Sequence, residues 1–253
     1  MSSTFSPSQV YGVSSSAELS CAGLYRSQHP PTIESDLSND LHPLFADDRF
    51  FLGDSFDLSK TLTARRFASR LIATPSLLPF WHTIFFTKKL RIMEVDSKGA
   101  PQHVLEEPPE TLTATQAAKT KEMLQLLAGH VTFRTRSSKD PGTRACCTRD
   151  RRDSVQSVLP GSTSRIDITH KLLEDLLETQ ASDPATCARA TFMFGVTLVH
   201  EVTHAAMNAT QRLHGCDNFF FGESTAAEEG LEMESRAFGG LFRTVEDLSL
   251  IHI

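Results

Sequence analysis

From residue 59 onward the apolar positions of this chain fall mostly at helical spacing, broken by short apolar or alternating runs. Leu62, Arg65, Arg66, Ala68 and Leu71 predict an amphipathic helix from about Ser59 to Thr74, stopped by Pro75. Arg65, Arg66 and Arg70 read as its solvated face, with a charged functional face as the alternative. Phe80 to Thr87 and Leu90 to Val95 are aromatic and β-branched with Lys88-Lys89 between them, which predicts two strands, with His82 packed in the first. Ser97 to Pro109 reads as a loop, Thr113 to Ala128 as a helix burying Ala117, Leu124 and Leu127, and Val131 to Thr135 as a strand. Arg165 to Ile168 predicts a short strand, and Thr169 to Gln180 a helix carrying Leu172, Leu173, Leu176 and Leu177.

Asp183-Pro184 supplies an acceptor side chain and then a proline at the first helical position, a good start for a helix running to about Asn208. Met193, Val196, Thr197, His200, His204 and Met207 share one face of it, so its histidines should face the interior. A second helix is expected from Ser224 or Thr225 through Leu241, crossing Gly230. Three stretches lack a period. Residues 1–40 are Ser-rich and read as a partly disordered or wrapping segment, and Leu41 to Asp57 as loops. Ser137 to Ser164, charged and carrying Cys146-Cys147, reads as a mobile surface loop, or as a lid over a substrate entrance.

These elements predict an α+β architecture in which residues 41–253 form one domain with a mixed sheet. Composition changes the picture little: 253 residues, 40% hydrophobic and 22% charged, can bury a real core. The net charge of −6 argues against a nucleic-acid or anionic-membrane partner. No apolar run approaches the roughly 20 residues a bilayer requires. The N-terminus has neither a basic start nor an apolar run, and the five cysteines include an adjacent pair but no C-x-x-C. Reduced thiols and a cytoplasmic location are the expectation.

The chemistry concentrates in His200-Glu201-Val202-Thr203-His204. Histidines at i and i+4 on a helix share a face and can reach one metal ion, while the intervening glutamate can touch a water on that metal as general base. A catalytic zinc site needs a third protein ligand. A histidine in the pattern H-E-x-x-H-x-x-G-x-x-H is excluded, because Met207 and Thr210 stand where Gly and His would be; His214 remains an outside candidate. Carboxylates crowd the next predicted helix instead: Glu223, Glu228, Glu229, Glu232 and Glu234.

With these residues the chain resembles the gluzincins, the zinc metallopeptidases typified by thermolysin and the zinc aminopeptidases. It looks closer still to uncharacterised fungal zincin-like proteins, in which H-E-x-x-H is followed by E-x-G-x-x-x-E and F-G-G. Here those positions are Glu228, Gly230, Glu234, Phe238, Gly239 and Gly240. The resemblance implies a zincin-like domain in which His200, His204 and Glu228 hold Zn2+, Glu201 is the catalytic base, and a C-terminal helix bears the glutamate ligand. It leaves Glu232 to hydrogen-bond a histidine from behind.

Other registers compete for the third ligand. Aminopeptidase spacing lands on Glu223, and aligning Phe238-Gly239 with a thermolysin-like helix lands on Glu232. Glu234 lies on the apolar stripe with Leu231 and Phe238, where an unpaired carboxylate is costly and demands a partner. A capping box with Thr225 would account for Glu228 without a metal.

A metallopeptidase also wants a donor for the developing oxyanion. The only tyrosines, Tyr11 and Tyr25, lie in the N-terminal segment. Either that segment covers the cleft, or His214 or an arginine donates, or the reaction is not peptide hydrolysis. The leading expectation is a zinc metallopeptidase acting on a peptide. The alternatives are a zinc enzyme acting on a small molecule or modified peptide, for instance in fungal biosynthesis, and a non-catalytic zincin-fold binding module. Intact Glu201 argues against the last.

Overall fold

The computed structural model describes residues 37–53, 56–87, 91–95, 101–137, 144–150, 158–179, 184–210, 218–222 and 228–239. Their strands are β1 (Phe50–Phe51), β2 (Arg91–Val95), β3 (Pro101–Leu105), β4 (Val131–Arg136), β5 (Ala145–Asp150), β6 (Thr163–Thr169) and β7 (Asn218–Phe221). Their helices are α1 (Leu62–Ile72), α2 (Leu78–Phe86), α3 (Ala114–Leu127), α4 (His170–Thr179), α5 (Pro184–Thr210) and α6 (Glu229–Phe238). The result is an α+β fold. All of these elements belong to the unit Leu37–Ile253, which is distinct from Met1–Asp36.

The long helix α5 is the axis of the structure. Phe194, Val196, Leu198, Val199, Val202, Ala205, Ala206 and Ala209 are all buried, so from Phe194 onward this helix is apolar nearly all round and lies inside the protein, while its first turns are exposed or half-buried. Its buried hydroxyls are satisfied locally: Thr197 Oγ1 donates to the Met193 carbonyl at 2.8 Å and Thr203 Oγ1 to that of Val199 at 2.9 Å. Helix α1 packs closely on α5 because position 195 lacks a side chain. A Cβ on Gly195 would sit 2.9 Å from the Ala64 carbonyl oxygen and 2.5 Å from the Phe67 ring.

A four-stranded mixed sheet in the order β1-β4-β6-β5 lies beside α5. β1, β4 and β6 run parallel, and β5 joins antiparallel as an edge, with Cys147 opposite Ile166. Val131 and Phe133 of β4 are buried, and the Phe50 and Phe133 rings stack at 4.4 Å. A second sheet, ordered β2-β3-β7, pairs β2 and β3 antiparallel and β3 and β7 parallel.

Four sequence expectations are corrected. Leu78–Phe86 is helical, although Phe80 to Thr87 reads as a strand. Leu78, Phe80, Trp81, Thr83 and Ile84 are buried on several sides of α2, so no amphipathic period survives in the sequence. Pro79 in the first turn is the local helix signal. Second, the expected loop over Ser97 to Pro109 contains β3, whose proline stands at its first residue, where a strand tolerates it. Third, Ser137 to Ser164 is not one long loop, because β5 runs through it; residues 138–143 and 151–157 lie outside the described residues.

The fourth correction concerns Arg65, which is buried rather than solvated. Its Nη1 donates to the Phe45 carbonyl at 3.0 Å and to Asp47 Oδ1 at 2.5 Å, and its guanidinium lies over the Phe50 ring at 5.3 Å. The other predicted helices are present: α1, α3 with Thr113 and Gln116 forming a capping box, α4, and α5 from Pro184. No helix among the described residues is long and apolar enough to cross a membrane.

Candidate metal centre

Helix α5 carries His200 and His204 one turn apart, with ring centroids 5.3 Å from each other. Helix α6 packs across it, and its start decides which carboxylates reach the imidazoles. The N-cap of α6 is Glu228, with extended backbone (φ −153°, ψ 109°), and its own carboxylate accepts from the Gly230 and Leu231 amides. A negative charge here meets the positive end of the helix dipole, so the side chain is folded back and held. Glu228 Oε1 faces both histidines, at 3.4 Å from His200 Nε2 and 2.5 Å from His204 Nε2. The helix expected from Ser224 or Thr225 through Leu241 is therefore corrected. The extended backbone of Glu228 makes it the N-cap rather than the third helical residue of a box with Thr225, and Gly239 in the left-handed region ends the helix, while residues 223–227 lie outside the described residues.

Each imidazole is also held from behind. His200 Nδ1 lies 2.8 Å from Glu234 Oε1, and His204 Nδ1 lies 2.9 Å from Glu229 Oε2. The partner that Glu234 requires on its apolar stripe is therefore His200. Glu232, expected behind a histidine, turns away instead: its Oε1 accepts from Arg236 Nε at 2.7 Å, and Arg236 Nη2 reaches Glu107 Oε1 at 2.8 Å. Gly230 sits between the two carboxylate arms. A Cβ there would lie 2.5 Å from Cγ, Cδ2 and Cε1 of His200, so only glycine lets α6 press flat on that ring.

Glu201 is buried, and the backbone N–H of Cys147 on the edge strand β5 donates to it. Burial raises its pKa, against the opposing pull of His204 and His200. Burial would lower the histidines, but the carboxylates outweigh it: Glu228 and Glu234 bring His200 up to about 9, and Glu228 and Glu229 bring His204 up to about 10. Glu228 itself is held well below the usual carboxylate range, because hydrogen bonds from His200 and His204 override the effect of its burial. Beside Glu201, burial pushes the Cys147 thiol up to about 12, partly offset by hydrogen bonds with Ser164 and Asn208. Asn208, one turn beyond His204, also accepts from Arg149 Nε and Nη2 at 3.2 and 3.0 Å.

A ligand atom from each of His200, His204 and Glu228 lies within 4.8 Å of the other two. Two imidazole Nε2 atoms can crowd one carboxylate oxygen, with both Nδ1 atoms also facing carboxylates, only when both rings carry two protons. A cation placed among the same atoms replaces those protons and turns the Nε2 lone pairs toward itself. Two imidazoles and a carboxylate, with a buried glutamate adjacent, are a donor set suited to a catalytic divalent ion. The residues fit a metal. Of the other candidates, Glu223, His214, Tyr11 and Tyr25 lie outside the described residues.

Sequence reasoning missed Glu229 and the Cys147 amide. Glu229 stood among the crowded carboxylates with no role, because its place behind His204 depends on a helix start at 229 that the sequence did not mark. The amide of Cys147 becomes relevant only once β5 is recognised as an edge strand.

This combination of an α+β fold, an H-E-x-x-H helix and a glutamate-bearing C-terminal helix defines a metal-dependent hydrolase of the metallopeptidase class. Residues 110–239 of the 253 match the family model described as metallopeptidase toxin 3, and the chain belongs to that family. No curated protein matches the chain, and no solved structure does.

Proposed function

We propose that the chain is a zinc metallopeptidase in which His200, His204 and Glu228 hold Zn2+ and Glu201 is the general base. The observation that carries this reading is the convergence of His200 Nε2, His204 Nε2 and Glu228 Oε1, beside a buried glutamate from the same helix turn. The ion, when bound, supplies Lewis acidity, bringing the pKa of a water toward 7 and polarising the carbonyl under attack. Glu201 accepts the proton of the attacking water and returns it to the departing amine, a role suited to a carboxylate whose pKa burial has raised. The Cys147 amide holds Glu201 in register and stabilises its ionised form.

A peptide substrate is supported by the family and by β5, whose described pairing is with β6 alone. An extended peptide beside such an edge would lie along the strand that touches Glu201. The family name further supports a protein target and a role as a toxin. The free thiols of Cys146, Cys147 and Cys187 support action in a reducing compartment such as the cytoplasm. We assign the catalytic domain to residues 41–253 and treat residues 1–40 as a separate segment; a closer likeness to fungal zincin-like proteins is part of the same proposal.

Metal analysis and one variant test the core of it. The purified chain should carry one zinc per molecule, and Glu201→Gln should keep that zinc while losing cleavage of a protein substrate by a factor of at least 100. A zinc-free wild-type chain, or an active Glu201→Gln, refutes the proposal.

A further inference from the structure

We propose that Glu229 and Glu234 are positioning residues of the metal centre, each fixing the orientation and tautomer of one histidine, so that α6 supplies both the third ligand and the bracing of the other two. The inference rests on the ligand assignment above and extends it to two residues that do not themselves face the ion.

The geometry is specific to these two carboxylates. Glu234 Oε1 is 2.8 Å from His200 Nδ1, and Glu229 Oε2 is 2.9 Å from His204 Nδ1. Both glutamates are more than nine-tenths buried, at 7% and 8% exposure, so neither carboxylate trades its histidine for water at will. An ionised carboxylate can only accept, so the proton between each pair belongs to the imidazole Nδ1. With Nδ1 committed to a glutamate, Nε2 is the ring atom left to face an ion, and both Nε2 atoms are turned to the side where Glu228 Oε1 lies. A carboxylate behind a ligating imidazole also raises its basicity and locks its rotation.

The arrangement follows from how α6 begins. Glu228 at the N-cap and Glu229 at the first helical position lie on one side of Gly230, and Glu234 lies beyond it. The missing Cβ at 230 lets the His200 ring settle against the helix between these arms. Glu232, on the same helix and equally buried, is committed to Arg236 and serves as an internal control.

The test is zinc affinity by chelator competition on the full chain, comparing wild type with Glu229→Gln, Glu234→Gln and Glu232→Gln. Glutamine keeps the side-chain volume but can turn its amide donor toward Nδ1, so the charge and the acceptor-only character that fix the tautomer are lost while packing is kept. Glu229→Gln and Glu234→Gln should each weaken zinc by ten- to a hundredfold, and each should shift the visible bands of the cobalt-substituted protein. Glu232→Gln should stay within threefold of wild type with an unchanged cobalt spectrum. Near-UV circular dichroism of the metal-free variants reports folding separately.

A second measurement needs no variant. In zinc-loaded protein labelled with 15N-histidine, His200 and His204 should both show a protonated Nδ1 and a coordinated Nε2. Coordination through Nδ1 of either ring overturns the inference, as do glutamine variants that bind zinc within threefold of wild type. A wild-type chain that takes up no metal overturns the ligand assignment as well, which separates the two failures.

Discussion

Replacing Gly230 with alanine sets helix propensity against the metal centre, and the structure decides which should win. In an ordinary helix interior this change stabilises by up to about 1 kcal/mol, because glycine gives up more backbone freedom on folding. Here the new Cβ would land 2.5 Å from three ring carbons of His200. Carbon atoms rest at about 3.5–4.0 Å, so ring or helix must move by about 1 Å or more. The ring cannot tilt away freely, since its Nδ1 is tied to Glu234 and its Nε2 faces Glu228. Overpacking of this kind costs about 1–3 kcal/mol. The net effect is a destabilisation of up to about 2 kcal/mol, or a fall in Tm of several degrees at about 2–4 °C per kcal/mol for a chain of this size. Metal ligands tolerate about 0.2 Å of displacement, so zinc affinity should fall by at least about tenfold. Thermal unfolding of metal-free and zinc-loaded protein, with chelator competition, measures both quantities. A Gly230→Ala chain that melts above wild type and holds zinc within threefold would refute the packing argument.

Other expectations follow from residues away from the metal. Arg65→Ala should destabilise by about 2–4 kcal/mol in chemical denaturation, because it leaves the Phe45 carbonyl without its guanidinium donor and opens a cavity; a change below 0.5 kcal/mol would mean the arginine is solvated. Burial lowers the pKa of His42 to about 4, below its unfolded value of 6.5, so the unfolded chain takes up a proton that the folded chain refuses. The stability lost between pH 6.5 and 4 should therefore shrink in His42→Asn, read as a flatter acid limb in a plot of Tm against pH. With its thiol pushed up to about 12, half-buried Cys147 should resist alkylation at pH 7.5 in native protein and react once the chain is unfolded; native labelling at Cys147 equal to that at Cys146 would contradict the raised thiol pKa.

The sequence showed the helices that present one apolar face, and α5 through its Asp183-Pro184 start, but missed α2, which is buried on several sides, and β5, which has no buried face. α1, α3 and α4 each keep a polar side, and their periods are readable. α2 is buried on several sides, so its aromatic and β-branched residues mimic a strand. β5 looks like a loop because none of its residues Ala145 to Asp150 is fully buried and Arg149 and Asp150 are charged, so no apolar alternation marks it as a strand. Arg65 shows the same limit on a single position, since nothing local says that a carbonyl and an aromatic ring from another segment will close over it.

At the metal centre the division is equally physical. His200 and His204 are one helical turn apart with Glu201 between them, and a helix fixes their relation whatever surrounds it, so the sequence alone specifies this half of the site. The glutamates come from a second helix, and their roles depend on where that helix starts and how it rolls against α5. With Glu228 as N-cap and Gly230 pressed on the His200 ring, Glu228 faces both Nε2 atoms, Glu229 and Glu234 go behind the rings, and Glu232 is left to Arg236. Spacing in the chain cannot distinguish these four carboxylates, because packing between two helices is a long-range property that no local pattern encodes.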